Sequence, residues 1–260
     1  MKVFAMLMLL SASGLCLAQS CGITALEISA DDANSVKTVL QNLNRQTASL
    51  KSYQCQLDYR FSQPLLQSQS VRTGNLYYLK SDNNSHLRIN FHTLQQDDEK
   101  QQKYIEQYIF DGVWLTVIDY QIKEVKKYQL AEPNNSVDAF ELAANNFPII
   151  GFSSTQDLKK DFDISLLPQQ RNDSNDFIGL HLKVKPDSGH KDNYTSVDFW
   201  IDKKLNLPAK ITAFSTEGDI YEIKLLQPKV DQPIDKKIFE LKIPKGFGQQ
   251  ITPLEKNKQK

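Results

Sequence analysis

The residue types that could do chemistry in this 260-residue chain are four histidines, three cysteines and one acidic run. His86, His92, His181 and His190 have no second His or Cys at metal-ligand spacing, so no metal site is expected. His86 and His92 flank one strand-like segment and read as solvent-facing residues. Cys16 lies in Gly14 to Ala18, a weak extension of an N-terminal apolar run, and Cys21 and Cys55 follow it. In an exported chain they could pair as a disulfide, or Cys55 could be a buried small residue; the spacing leaves both open. Asp97-Asp98-Glu99 reads as a solvated charge run rather than a pair of acid–base carboxylates. No G-x-S-x-G elbow, P-loop or G-x-G-x-x-G is present. No catalytic residue and no cofactor is expected, and the chain is not read as an enzyme. Large apolar side chains are abundant instead, among them Tyr53, Tyr59, Phe61, Tyr77, Tyr78, Phe91, Tyr108, Phe110 and Trp114. Most must form a core, but such density also suits an apolar ligand cavity.

Charge narrows the partners. Lys+Arg and Asp+Glu each number 31, a formal net charge of zero. Proteins that live on phosphate backbones carry a basic surplus, so nucleic acid is not an expected partner. Lys2 followed by the apolar run Val3 to Leu10 reads as a signal peptide over residues 1–20, too short to span a bilayer. Cleavage after Ala18 would release Gln19; cleavage after Ser20 would release Cys21. The expected location is the periplasm. The alternative is a membrane-anchored lipoprotein tethered through Cys21, although Ala18-Gln19-Ser20 is a poor lipobox. No repeat or composition shift marks a boundary, so residues 21–252 are expected to form a single domain and a monomer, followed by a Lys-rich flexible tail over 253–260.

These side chains need elements to position them. An acidic first turn near Ser29 to Asp32, with Val36, Val39, Leu40, Leu43 and Leu50 near helical spacing, predicts an amphipathic helix from Asp31 to Ala48. Tyr53, Cys55, Leu57, Tyr59 and Phe61 then alternate with polar residues, a strand with one buried face that ends at Gln63-Pro64. Strands are predicted at 71–80, 86–92, 103–110, 113–115, 122–130, 162–166, 178–184, 197–201, 209–214 and 220–226, with a short final strand at Ile238-Phe239-Glu240-Leu241. Asp111-Gly112 is a hairpin signal. Short helices are expected at Ser136 to Ala144 and Thr155 to Lys160, with a loop around Phe147 between them. Sequential strands with short turns predict an α+β fold, mainly β: an incomplete antiparallel barrel, or strongly curved sheet, closed by the N-terminal helix and a mid-chain helical lid.

Several stretches carry a further signal in their order. They are Leu50-Lys51-Ser52-Tyr53, Gly74-Asn75-Leu76-Tyr77-Tyr78-Leu79-Lys80, Leu87-Arg88-Ile89-Asn90-Phe91, and Phe110-Asp111-Gly112-Val113-Trp114-Leu115. Then follow Lys123-Glu124-Val125-Lys126-Lys127-Tyr128, Phe199-Trp200-Ile201-Asp202 with Leu207-Pro208, and Phe239 with Pro244-Lys245-Gly246. In order and spacing they resemble the motifs of the LolA family of periplasmic lipoprotein carriers, over nearly all of residues 21–252. Thr116 and Ile118 depart from that family's Trp and Tyr, and Leu79-Lys80-Ser81 lacks its Arg and Pro. The resemblance implies a carrier that holds lipoprotein acyl chains in an apolar cavity and moves them from the inner to the outer membrane. Its partners would be an inner-membrane ABC lipoprotein exporter and an outer-membrane receptor. The alternative on the same fold is a lipid-binding or envelope-stress sensor module. The expected cavity residues are Tyr53, Leu57, Leu76, Tyr78, Leu115, Phe140 and Phe147, with Lys80 and Arg88 as basic residues at the mouth. Periodicity leaves open which face of each strand lines the cavity.

Overall fold

Alternation of apolar and polar residues becomes strand almost wherever it occurs. The computed structural model describes residues 30–81, 84–133, 135–140, 155–168 and 176–254. Helix α1 (Ala30–Ser49) leads into β1 (Ser52–Gln63), β2 (Ser68–Ser81), β3 (Asn84–Gln96), β4 (Gln102–Phe110), β5 (Trp114–Asp119) and β6 (Glu124–Gln129). Helix α2 (Thr155–Asp161) precedes β7 (Phe162–Leu166), β8 (Phe177–Val184), β9 (Tyr194–Asp202), β10 (Leu207–Ser215), β11 (Ile220–Val230) and β12 (Gly248–Thr252). All twelve strands join one curved, open sheet in the order β12-β6-β5-β4-β3-β2-β1-β11-β10-β9-β8-β7. Two steps are long-range: β1 on β11, which joins the two halves of the chain, and β12 on β6. Every neighbouring pair is antiparallel except β12 on β6, which is parallel.

Aspartates build three of the turns. Asp111 Oδ1 accepts from the N–H groups of Val113 and Trp114 at 3.0 and 2.8 Å, and Asp119 and Asp202 repeat the pattern after β5 and β9. Each side chain satisfies backbone donors that the turn leaves unpaired. Gly112 follows at φ +97°, where a side chain would be strained. Gly74 has a different cause. It sits at a register shift between β2 and β3, and a Cβ there would lie 2.0 Å from the Asn90 carbonyl oxygen.

The sheet is covered on two faces. On the inner face Tyr53, Leu57, Leu76, Ile89, Phe91, Phe110, Leu180, Phe199, Ile211, Ile223 and others form one core with Val36, Val39, Leu40, Leu43 and Leu50 from α1 and the segment after it. Leu158 of α2 and the pair Ala139 and Phe140, both helical, join it. On the outer face a small cluster of Ile109, Ile118 and Val125 is covered by Tyr120, Ile243 and Phe247.

The C-terminal region departs from expectation. The segment Ile238 to Leu241 is not a strand: Lys236–Phe239 is a 3-10 turn, capped by Asp235 Oδ1 accepting from the Lys237 N–H at 3.0 Å. It crosses the outer face of the sheet rather than meeting an edge, so its backbone has no ladder to join. The last strand is β12, further on, with all five residues exposed. Of the predicted helix at Ser136 to Ala144, Ser136, Val137 and Asp138 are irregular rather than helical, and only Ala139 and Phe140 are helical; residues 141–144, with Phe147, lie outside the described residues, as do the predicted signal peptide and Cys21. No helix among the described residues is long and apolar enough to cross a membrane.

Candidate functional site

Register places the sequence-selected apolar residues side by side on the inner face. Tyr53 opposes Tyr78, Cys55 opposes Leu76, and Leu57 opposes Gly74 across β1 and β2. Phe140 packs on the two tyrosines, stacked on Tyr78 at 4.1 Å between ring centroids and edge-on to Tyr53 at 6.4 Å. Tyr53, Leu57, Leu76, Tyr78 and Phe140 are all at most 3% exposed. Leu115 of β5, also selected, is half-buried at the margin of the same cluster.

The segment carrying Phe140 is fastened to the sheet by a few polar bonds. Tyr78 Oη donates to Asp138 Oδ2 at 3.0 Å, the Ala139 N–H donates to Ser85 Oγ at 2.7 Å, and the Val137 N–H donates to the Gly112 carbonyl at 3.0 Å. Burial, reinforced by the Asp138 carboxylate, pushes the Tyr78 phenol far above its ordinary range, so it stays protonated and donates. Burial also pushes the free Cys55 thiol up to about 12, which leaves it a packed small side chain and no nucleophile at neutral pH.

At the far end of the same face lies a cluster that sequence reasoning missed. Arg72 Nη1 meets Glu106 Oε2 at 2.8 Å, with the guanidinium 5.1 Å from the Tyr104 ring centre and 5.9 Å from that of Phe91. Burial raises the Glu106 carboxyl above its ordinary value against the opposing pull of Arg72. Half-buried Tyr59, Tyr108, Tyr194 and Tyr221 pack against the core nearby. The alternation of β2, with Arg72 opposite Tyr59, is the only local signal that could have found the pair. A second missed pair, His181 Nδ1 and Asp198 Oδ1 at 2.6 Å, joins directly opposed residues of β8 and β9.

The two basic residues expected at the mouth separate. Lys80 is exposed at the end of β2, its backbone N–H donating to the Lys51 carbonyl at 2.8 Å. Arg88 is on the other side of the sheet: it alternates with Leu87 and Ile89, which fill the inner core, so its guanidinium must face outward. There it donates to the carbonyls of Ile238 and Glu240 and to the side chains of Asn90 and Gln107. Among the described residues no group of three or more His, Cys, Asp and Glu could hold a metal ion.

No protein-family model matches the sequence, and no curated protein does. Solved structures resemble it. An uncharacterised conserved protein from Thermus thermophilus is similar with a TM-score of 0.51 at 9% identity, over 84% of this chain and 99% of that one. A chain of the Pseudomonas aeruginosa MucA/MucB complex is similar at TM-score 0.45 and 14% identity, over 80% of this chain and 61% of its own length. The LolA superfamily protein NE2245 from Nitrosomonas europaea is similar at TM-score 0.33 and 14% identity, over 79% of this chain and 97% of that one. The chain therefore shares the fold of the Thermus protein.

Proposed function

We propose that this chain is a periplasmic carrier that binds lipoprotein acyl chains against the inner face of its sheet and moves them from the inner to the outer membrane. The observation behind this reading is the aromatic cluster of Tyr53, Tyr78 and Phe140, in which Phe140 packs on both tyrosines from a segment fastened by hydrogen bonds to Tyr78 and Ser85. Lifting Phe140 would re-expose an aromatic side chain at a cost of about 2–3 kcal/mol. An acyl chain taking its place gains about 0.8 kcal/mol per buried CH₂, so about four methylenes offset the displacement and the rest of the chain supplies affinity. The reading involves no chemical step. Loading by an inner-membrane ABC exporter and delivery to an outer-membrane receptor complete it.

The test is native mass spectrometry of the purified full chain after exchange with a triacylated lipopeptide from detergent, followed by transfer to acceptor vesicles. A one-to-one complex that passes its lipopeptide on supports the carrier. A complex that never delivers makes the chain a lipid-binding or sensor module. No acyl adduct, in the wild type or in Phe140→Ala, ends both readings.

A further inference from the structure

The outer face holds a concavity away from the inner core. Where the C-terminal segment crosses β2, β3 and β4 it leaves a cleft of about 390 Å³, lined from the sheet side by Tyr77, Arg88, Asn90, Gln107 and Tyr120. Lys237, Ile238, Glu240 and Lys242 close it from the segment. Its charge is uneven. Arg88 has no carboxylate partner among the described residues: its donors go to the neutral oxygens of Asn90, Gln107, Ile238 and Glu240, the last through its backbone carbonyl. The carboxylate of Glu240 is instead held by Lys242 at 3.6 Å. The Lys237 ammonium and the hydroxyls of Tyr77 and Tyr120 have no hydrogen-bond partner among the described residues. Three cations therefore face one carboxylate, and free donors line a half-sheltered space. A guanidinium held in place by fixed bonds loses no conformational freedom when an anion arrives, which is the arrangement that binds oxyanions well.

We propose that this cleft binds a phosphate ester. The anion would sit between Arg88 and Lys237 and accept from Tyr77 and Tyr120. The volume falls within the range of about 300–1,000 Å³ found for small-molecule sites and exceeds what a bare phosphate ion fills, so the ester's organic part occupies the remainder. The source is either a soluble phosphate ester or the headgroup of a phospholipid, which present the same chemistry. The site is separate from the acyl-binding face, so neither reading depends on the other.

Two probes separate the sources: glycerol 3-phosphate followed by titration calorimetry, and vesicles of phosphatidylcholine with phosphatidylglycerol followed by flotation. Both use the full chain beside Lys237→Met and Tyr77→Phe, which alter cleft-lining groups outside both apolar cores. Saturable binding of glycerol 3-phosphate, weakened about tenfold by Lys237→Met and less by Tyr77→Phe, supports a soluble ester. Flotation with phosphatidylglycerol that Lys237→Met abolishes, without soluble binding, supports a lipid headgroup. Failure of both probes to bind, or binding that neither variant weakens, overturns the proposal.

Discussion

The two faces of the sheet are held by different forces. The inner face is a continuous apolar core beneath α1, with Leu43, Leu76, Phe199 and Ile211 all at 0% exposure. The outer face under the C-terminal segment has three buried hydrophobic residues and a polar clamp, in which Arg88 ties the carbonyls of Ile238 and Glu240 to β3. Dispersion and hydrophobic burial are non-directional and scale with area, so the inner face carries most of the stability. Hydrogen bonds to a guanidinium are directional and individually modest, so the outer segment is held in register at little total energy. The inner face is thus the part that must form for the chain to fold, and the outer segment is the part that can come away.

The strongest test of that contrast is Leu43→Ala, which empties a fully buried site under α1. It should cost about 2–5 kcal/mol in urea unfolding, and a loss below about 1 kcal/mol would mean that α1 is not integral to the core. Arg88→Met on the outer face should cost about 1–3 kcal/mol, less than Leu43→Ala, while amide hydrogen exchange in β12 and residues 236–240 speeds far more than elsewhere. Unchanged exchange there would show that Ile243 and Phe247 hold the segment without the clamp. Ser85→Ala and Tyr78→Phe each remove one fastening of the Phe140 segment. Each should lower stability by about 1 kcal/mol and speed acyl uptake, and equal uptake rates would break the link between these bonds and access.

The smallest expected effect concerns two glutamates on opposite faces. For Glu222, on the outer side of β11, burial alone would raise the carboxyl, but Lys210 at 2.7 Å and Lys224 at 3.2 Å outweigh it and hold it below the ordinary value of 4.5. A folded-state pKa below the unfolded one contributes stability above pH 4.5, lost as pH falls through the folded value. Because the pair is partly exposed, Glu222→Gln should cost only a few tenths of a kcal/mol at neutral pH, vanishing in acid. Glu106, raised by burial on the inner face, has the opposite sign: its protonation favours the fold as pH falls toward 4.5. Paired acid-unfolding curves of Glu222→Gln and Glu106→Gln should therefore diverge from the wild type in opposite senses.

The sequence by itself determined the strands before the C-terminal segment, the Asp111-Gly112 turn and which side chains of a strand share a face. Alternation from Tyr53 to Phe61 shows which side chains share a face, and Asp111-Gly112 names its turn, because both are local consequences of backbone geometry. Parity along one strand does not say which side is covered. Arg88 was therefore legible as the partner of Ile89 in alternation but not as an outer-face residue, and Arg72 with Glu106 became a pair only through the registers of β2, β3 and β4. Only the tertiary structure decided the C-terminal course. Five exposed residues in β12 pair in parallel with β6 through their backbones, and backbone hydrogen bonding leaves no pattern in the side chains for a sequence to show.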